Sequence, residues 1–336
     1  MTLLICLLTV TLSEPGDYLI YVSNERSGDV SVIDPESNEV VETIRVGKRP
    51  RGIGVSRDGR LVYVALSGSP ITPPGQPDPP ASASDKGADG IGVIDVASRK
   101  LIDKLTSGSD PEQFTTSRDG AKMYIANEDT GQATVLDVAS RKPITVITVG
   151  TEPEGVTVSP DGKLVYVTSE TTNDVHVIET ATDKIVANFK TAQRPRAVAF
   201  TPDSKKAYVT CETAGVVCVV DVARGEVTKQ IKHADQNVRP MGVVVSPDGA
   251  RVYVTTGRGK SVLVIDAKSD EVVDVIEDVG ARPWGVALSI DGRYLYTANG
   301  PSNDVSVIDV QTKRVVRRIK AGESPWGVAV VRRAAG

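Results

Sequence analysis

The stretch "GTEPEGVTVSPDGKLVYVTSETTNDVHVIET", residues 150–180, holds three short apolar runs separated by turn residues. "GVTVS" is a strand signal, "SPDG" a turn in which Asp-Gly supplies a residue able to take positive φ, and "KLVYVTS" and "DVHVIET" two further strands. "KIVANFK" adds a fourth. The same unit recurs along the chain. Its tyrosine falls at Tyr21, Tyr63, Tyr124, Tyr166, Tyr208, Tyr253 and Tyr296, in steps of 42, 61, 42, 42, 45 and 43 residues. The acid closing the third strand falls at Asp34, Asp95, Asp137, Glu179, Asp221, Asp266 and Asp309, and the proline opening the first at Pro50, Pro111, Pro153, Pro195, Pro240, Pro283 and Pro325. Three independent markers keep one register.

A period near 42 with four strand signals is that of a β-propeller blade. The expected fold is therefore all-β: seven four-stranded antiparallel blades in one domain over residues 16–336. No later stretch shows a clean 3.6-residue apolar period. The first strand, "YLIYVSN", is of second-strand type, and the last, "SPWGVAVV", of first-strand type. The two ends should complete one blade, one strand from the C-terminus and three from the N-terminus, which ties down exposed edges. The single long step contains a Pro/Ser-rich insertion at residues 67–90, a loop placed to act as a lid or an idle linker.

A formal net charge of -4 and a pI near 5.5 give no electrostatic reason to expect nucleic acid or a membrane surface as partner. Residues 1–15 carry an apolar run too short to cross a bilayer. The run resembles the h-region of a signal peptide, although no Lys or Arg lies between Met1 and Glu14. That segment contains Cys6, and the mature chain is expected to be a periplasmic or secreted monomer with no membrane span. Cys211 and Cys218 lie on neighbouring strands of one hairpin and stand as either a cross-strand disulfide or two buried thiols.

In a repeat protein, function is written where the copies differ, because the shared positions serve the fold. The prolines are flanked in ring order by Arg49 and Arg51; Asp110 and Glu112; Glu152 and Glu154; Arg194 and Arg196; Arg239 and Met241; Arg282 and Trp284; Ser324 and Trp326. The loop between second and third strands adds a second ring, Glu25, Glu128, Glu170 and Glu212. Strand alternation puts both sets around one mouth of the central channel, with an acidic arc between two double-arginine blades and an arc of Met and Trp opposite. One reading is a self-neutralising ring of ion pairs. The other is a ligand funnel with carboxylates for a cation or hydroxyls, arginines for an acid, and indoles for an apolar body. Glu112, Glu152, Glu154 and Glu170 are the candidate set for Ca²⁺. The sequence requires no cofactor, and its two histidines, His176 and His233, form no triad with a serine and an acid.

The strands "YVTS", "YVTC", "YVTT" and "YVSN" followed by "VSVID" resemble the YVTN family of β-propeller repeats. The longer strings "RPRGIGVSRDG", "GSDPEQF", "GTEPEGVTVSPDG", "QRPRAVAFTPD" and "SPWGVAV" are similar to propeller proteins associated with pyrroloquinoline quinone (PQQ) dependent catabolism. That resemblance runs from about Tyr18 to Val331. It implies a seven-bladed exported protein working beside a quinoprotein alcohol-oxidation system, with no catalytic residues established for the group. The functions expected are thus an accessory propeller binding a small acid, an alcohol-derived ligand or a partner protein; a lactonase-like hydrolase or lyase using the carboxylates with a metal; or a cell-surface interaction protein.

Overall fold

The computed structural model describes residues 17–71 and 83–333. The leader expected at residues 1–15, with Cys6, and the middle of the insertion, residues 72–82, lie outside the described residues.

Seven four-stranded antiparallel sheets follow one another as blades I to VII. Blade I is the clasp. Pro325–Arg332 is its innermost strand, paired with Tyr18–Asn24, which pairs in turn with Asp29–Asp34 and then Glu39–Arg45. Blades II to VII span residues 50–105, 111–148, 153–190, 195–232, 243–276 and 283–320. The sequence reading of one strand from the C-terminus and three from the N-terminus holds, in register from Tyr18 opposite Arg332 to Ser23 opposite Gly327.

Burial explains the repeat grammar. In blade IV the second strand, Leu164–Ser169, is buried along nearly its whole length, whereas the outer strand, Lys184–Lys190, buries only Phe189. Second and third strands are covered on both faces by adjacent blades, so they read as unbroken Val/Ile runs. Outer strands carry lysines and other charges, which disfavour edge-to-edge pairing. The core is divided into seven clusters, each spanning one interface between neighbouring blades.

Five of the repeat tyrosines, at positions 21, 124, 166, 208 and 296, are at most 1% exposed. Some hydroxyls latch one blade to the next. Tyr124 donates to Asp183 at 2.6 Å beside Lys122 Nζ at 2.7 Å, joining blades III and IV. Tyr208 and Lys206 repeat this with Asp270 between blades V and VI. The turn glycines of "DG", such as Gly162 at φ 76°, take the left-handed conformation expected of them, and in blade V Ser204 does so at φ 60°. Cys211 and Cys218 are free and buried, their sulfurs 3.6 Å apart, so of the two readings the structure has buried thiols.

Candidate functional site

Six of the seven prolines open an innermost strand at the same end of the channel, Pro240 preceding its strand Val243–Val245 by three residues, and the residues on the two sides of each proline have different fates. The preceding residue has positive φ in six blades: Arg49, Asp110, Glu152, Arg194, Arg282 and Ser324, between 41° and 60°. A side chain there is strained, and a following proline disfavours helical backbone further. The conformation turns the carbonyl of this residue toward the next loop, where the amide of the second-ring glutamate donates to it. Glu25 bonds Ser324, Glu128 bonds Asp110, Glu170 bonds Glu152 and Glu212 bonds Arg194, at 2.8–3.0 Å. The two rings inferred from sequence are therefore one hydrogen-bonded unit in four blades.

The residue after the proline points into the throat. Trp326, Arg51, Glu112, Glu154, Arg196 and Met241 are buried and Trp284 is half-buried. Their backbone is fixed by the hydroxyl two places beyond the repeat tyrosine. Thr168 donates to Arg196 O at 2.7 Å, Thr210 to Met241 O at 2.6 Å, Thr255 to Trp284 O at 2.8 Å and Ser23 to Arg51 O at 2.5 Å, each bond crossing to the next blade. Glycine one place further on makes room for that crossing. A Cβ on Gly155 would lie 2.0 Å from Arg196 O, and one on Gly242 would lie 2.3 Å from Trp284 O. The "YVT" of the repeat and the glycine of "PxG" are thus parts of the device that aims the ring residues inward.

The inward residues fill the throat at this level. Arg51, 2% exposed, contacts Asp110 at 2.5 Å, Glu112, and Glu128 at 3.5 Å. Arg196 contacts Glu154 at 2.9 Å, Glu170, and Glu212 at 3.2 Å, and lies 5.6 Å from the ring centre of Trp284, two blades away. Outside this plug Arg194 bonds Glu170 at 2.8 Å and Arg49 bonds Glu25 at 3.0 Å. Glu152 is half-buried at the rim and accepts a hydrogen bond from Thr171. The pair that looked alike in "TEPE" is therefore split. Glu154 belongs to the buried plug and Glu152 to the rim.

Three carboxylates around one guanidinium do not share it equally. Burial works against the charged form of Asp110, but Arg51, with help from the Ser67 and Ser69 hydroxyls and Arg49, holds its carboxyl below the usual range. Burial pushes Glu112 well above that range, Arg51 opposes, and Glu154 and Glu128 add to the rise. Glu154 is likewise raised by burial against the pull of Arg196. One oxygen of Glu112 is buried with no hydrogen-bond partner. Of the candidate Ca²⁺ carboxylates, Glu112, Glu154 and Glu170 are held by arginines and Glu152 stands apart on the rim. Among the described residues no three His, Cys, Asp or Glu side chains converge as metal ligands.

The opposite arc is built differently. At the second-ring position blades VI and VII carry Gly257 and Gly300, so Arg239 and Arg282 face loops without a carboxylate. Among the described residues Arg239 donates to the carbonyls of Gln236 and Val238 and to no carboxylate. Arg282 lies on the face of Trp284, 5.0 Å from the ring centre, and among the described residues it has neither an ion pair nor a hydrogen-bond acceptor. Arg258, next to Gly257, is exposed and among the described residues likewise has no carboxylate partner. Burial, reinforced by Arg196, Arg258 and Arg194 and opposed by Glu212, makes the Arg282 guanidinium easier to deprotonate than usual. Trp284 and Trp326 meet edge to face at 5.5 Å, and the Trp326 indole N–H is buried without an acceptor. Sequence reasoning missed Arg258. The signal was available in "TTGRGK", where glycine replaces the ring glutamate and arginine follows it.

The described flanks of the insertion sit over the other side of the mouth. Arg49 donates to Ser69 O and Pro70 O, and Asp89 accepts from the amides of Gly68 and Asp110. A shallow depression of about 250 Å³ lies between blades IV and V, lined in part by Glu152, Glu170 and Arg194. His176 is on the third strand of blade IV, 3.6 Å from Asp174, and His233 is in the loop entering blade VI. Neither histidine belongs to the two rings.

Comparison with known proteins places this geometry in a family. Residues 152–330, just over half of the chain, match the family model described as SMP-30/Gluconolactonase/LRE-like region, and residues 14–189 match the choice-of-anchor I domain. Antigen Lp49 of Leptospira interrogans is 28% identical over 119 residues, a stretch covering 35% of this chain and 23% of that protein. Among solved structures, a candidate 6-phosphogluconolactonase of Bacteroides fragilis superposes with a TM-score of 0.76 at 19% identity, over 94% of this chain and 98% of that one. A chain of Kuenenia stuttgartiensis hydrazine synthase superposes with a TM-score of 0.69 at 22% identity, over 85% and 96%. At such identities these two share the fold. The chain belongs to the SMP-30/gluconolactonase/LRE-like family, as a lactonase-like propeller of seven blades.

Proposed function

We propose that the chain is a non-enzymatic accessory propeller that captures a small organic acid at the channel mouth, on the arc formed by blades VI and VII. One observation carries this reading. Arg282 is half-buried beside three other arginines and among the described residues is in no ion pair, whereas Arg49, Arg51, Arg194 and Arg196 are all paired. An incompletely hydrated guanidinium beside an indole is suited to an anion with an apolar body. The resemblance to PQQ-associated propellers adds a setting: an exported protein beside a quinoprotein system whose alcohol substrates become acids. The test is a thermal-shift titration with small carboxylic acids, their parent alcohols and PQQ. Acids should raise the melting temperature, reaching about 2.7 kcal/mol of stabilisation at a hundredfold excess over Kd. Equal response to the alcohols would remove the reading.

Family membership supports a second reading, lactone hydrolysis, in which the arginines would hold the acid formed. Attack of water on a lactone needs a base or a metal-bound hydroxide, and Glu152 is the ring carboxylate not committed to a guanidinium. Turnover of a lactone panel, measured with and without added divalent metal, distinguishes the two.

A further inference from the structure

We infer that the mouth between blades VI, VII and I is a site for a compact monocarboxylate with an aromatic or other apolar body. In that site the carboxylate lies between the Arg282 guanidinium and the Trp326 indole N–H, and the body rests against Trp284 and Met241. The inference rests on the small-acid reading above and specifies the class of acid.

Two donors without acceptors flank one indole. Arg282 sits 5.0 Å and the Trp326 ring 5.5 Å from the centre of Trp284. The Trp326 N–H is shielded from water with nothing to bond, although its residue is only 6% exposed. A buried donor without an acceptor is a standing cost that an oxygen of the right ligand removes. Among the described residues neither Arg282 nor Arg258 is in an ion pair, and Glu212 offsets the charge at Arg282 only in part against three neighbouring arginines. The flanking surface is apolar, since Met241 and Trp326 are buried and Trp284 meets Trp326 edge to face. A ligand made mostly of oxygen would leave that surface unused, and a neutral one could accept from the N–H but would leave the guanidinium charge unmatched. Entry requires the indoles to part enough to uncover the Trp326 N–H, and Arg282, which among the described residues is held by its stack on Trp284, is free to move with them.

The chain contains only two tryptophans, and both are in this site, so intrinsic fluorescence reports it directly. The probes are benzoate, acetate, benzyl alcohol and inorganic phosphate, titrated into the purified full chain with melting temperature as a parallel readout. Benzoate should alter the fluorescence saturably, with acetate, phosphate and benzyl alcohol at least tenfold weaker. Arg282→Gln should weaken benzoate at least tenfold while melting no lower than the wild type without ligand, because it removes an uncompensated cation. Trp326→Phe, which keeps an aromatic side chain and loses the N–H, should weaken benzoate severalfold. Benzoate binding unchanged in both variants places the acid elsewhere and overturns the inference. If acetate or phosphate binds as well as benzoate and Arg282→Gln abolishes both, the apolar body is wrong while the small-acid reading stands. No binding of any anion defeats both.

Discussion

Replacing Arg51 by Met should destabilise the protein by about 3–5 kcal/mol at neutral pH, the usual cost of breaking a buried ion pair from one side. The guanidinium is the counter-ion shared by Asp110, Glu112 and Glu128, and the first two of these carboxylates are buried with it. Methionine keeps much of the apolar stem and leaves those carboxyls without a cation. With an unfolding entropy of about 2.1 cal/mol/K per residue, a chain of this length gains about 0.7 kcal/mol/K on melting, so the melting temperature should fall by about 4–7 °C. The pH dependence is the sharper part. In the wild type Asp110 lies below its ordinary range, so its stabilisation is present at neutral pH and is lost as pH falls through its folded pKa. In the variant that contribution is gone, and both desolvated carboxyls should titrate above their ordinary range. Their protonation then favours the folded state, an effect present in acid and lost as pH rises. The gap between the two proteins should therefore narrow from pH 7.5 to pH 4 (about these values) as the buried carboxyls protonate. Calorimetric melts of both proteins at both pH values measure this. A drop smaller than about 1.5 °C at neutral pH, about 1 kcal/mol, or a gap independent of pH, would refute the account of the plug.

Two further substitutions test how the rings divide. Glu152→Lys should change stability by less than about 0.5 kcal/mol, because the side chain is on the rim, whereas Glu154→Lys buries a second cation against Arg196 and should cost about 3 kcal/mol or more. Denaturant midpoints compare them, and equal effects would mean that the two residues are not on different rings. Asp183→Ala removes the acceptor of Tyr124 and Lys122 between blades III and IV, with an expected loss of about 1–3 kcal/mol. A double-mutant cycle with Tyr124→Phe should show coupling, and strict additivity would deny the latch.

The architecture was legible because the tyrosine, acid and proline markers repeat independently, and because a blade needs both the unbroken Val/Ile strands and the "DG" turns. The clasp was legible because the terminal strands are of complementary types. The site was legible only as a set of positions. Its residues come from every blade, and which arginine meets which acid depends on neighbours distant in sequence, as with Arg51 and Glu112 or Arg196 and Glu170. The composition of the ring looks balanced, yet the pairing is uneven, because the second-ring glutamates supply carboxylates to blades I, III, IV and V while Gly257 and Gly300 supply none. "TEPE" presents two equivalent glutamates in one dimension, and a proline between them sends one to the rim and one to the throat. For Cys211 and Cys218 the sequence allowed two states, and the 3.6 Å separation of unbonded sulfurs had to be seen.

The pairing of Tyr18–Asn24 with Pro325–Arg332 also sets a schedule for synthesis. The two strands lie about 300 residues apart, so at about 5–20 residues per second the first waits roughly 15–60 s on the ribosome for its partner to be made. During that interval the earliest blade has an apolar edge with nothing to cover it, and the ring cannot close however well later blades have formed. Nascent chains stalled before Pro325 should therefore be the species that chaperones and proteases meet most often, and pairing of the eight-residue strand Pro325–Arg332 becomes the event that commits the ring to its native state.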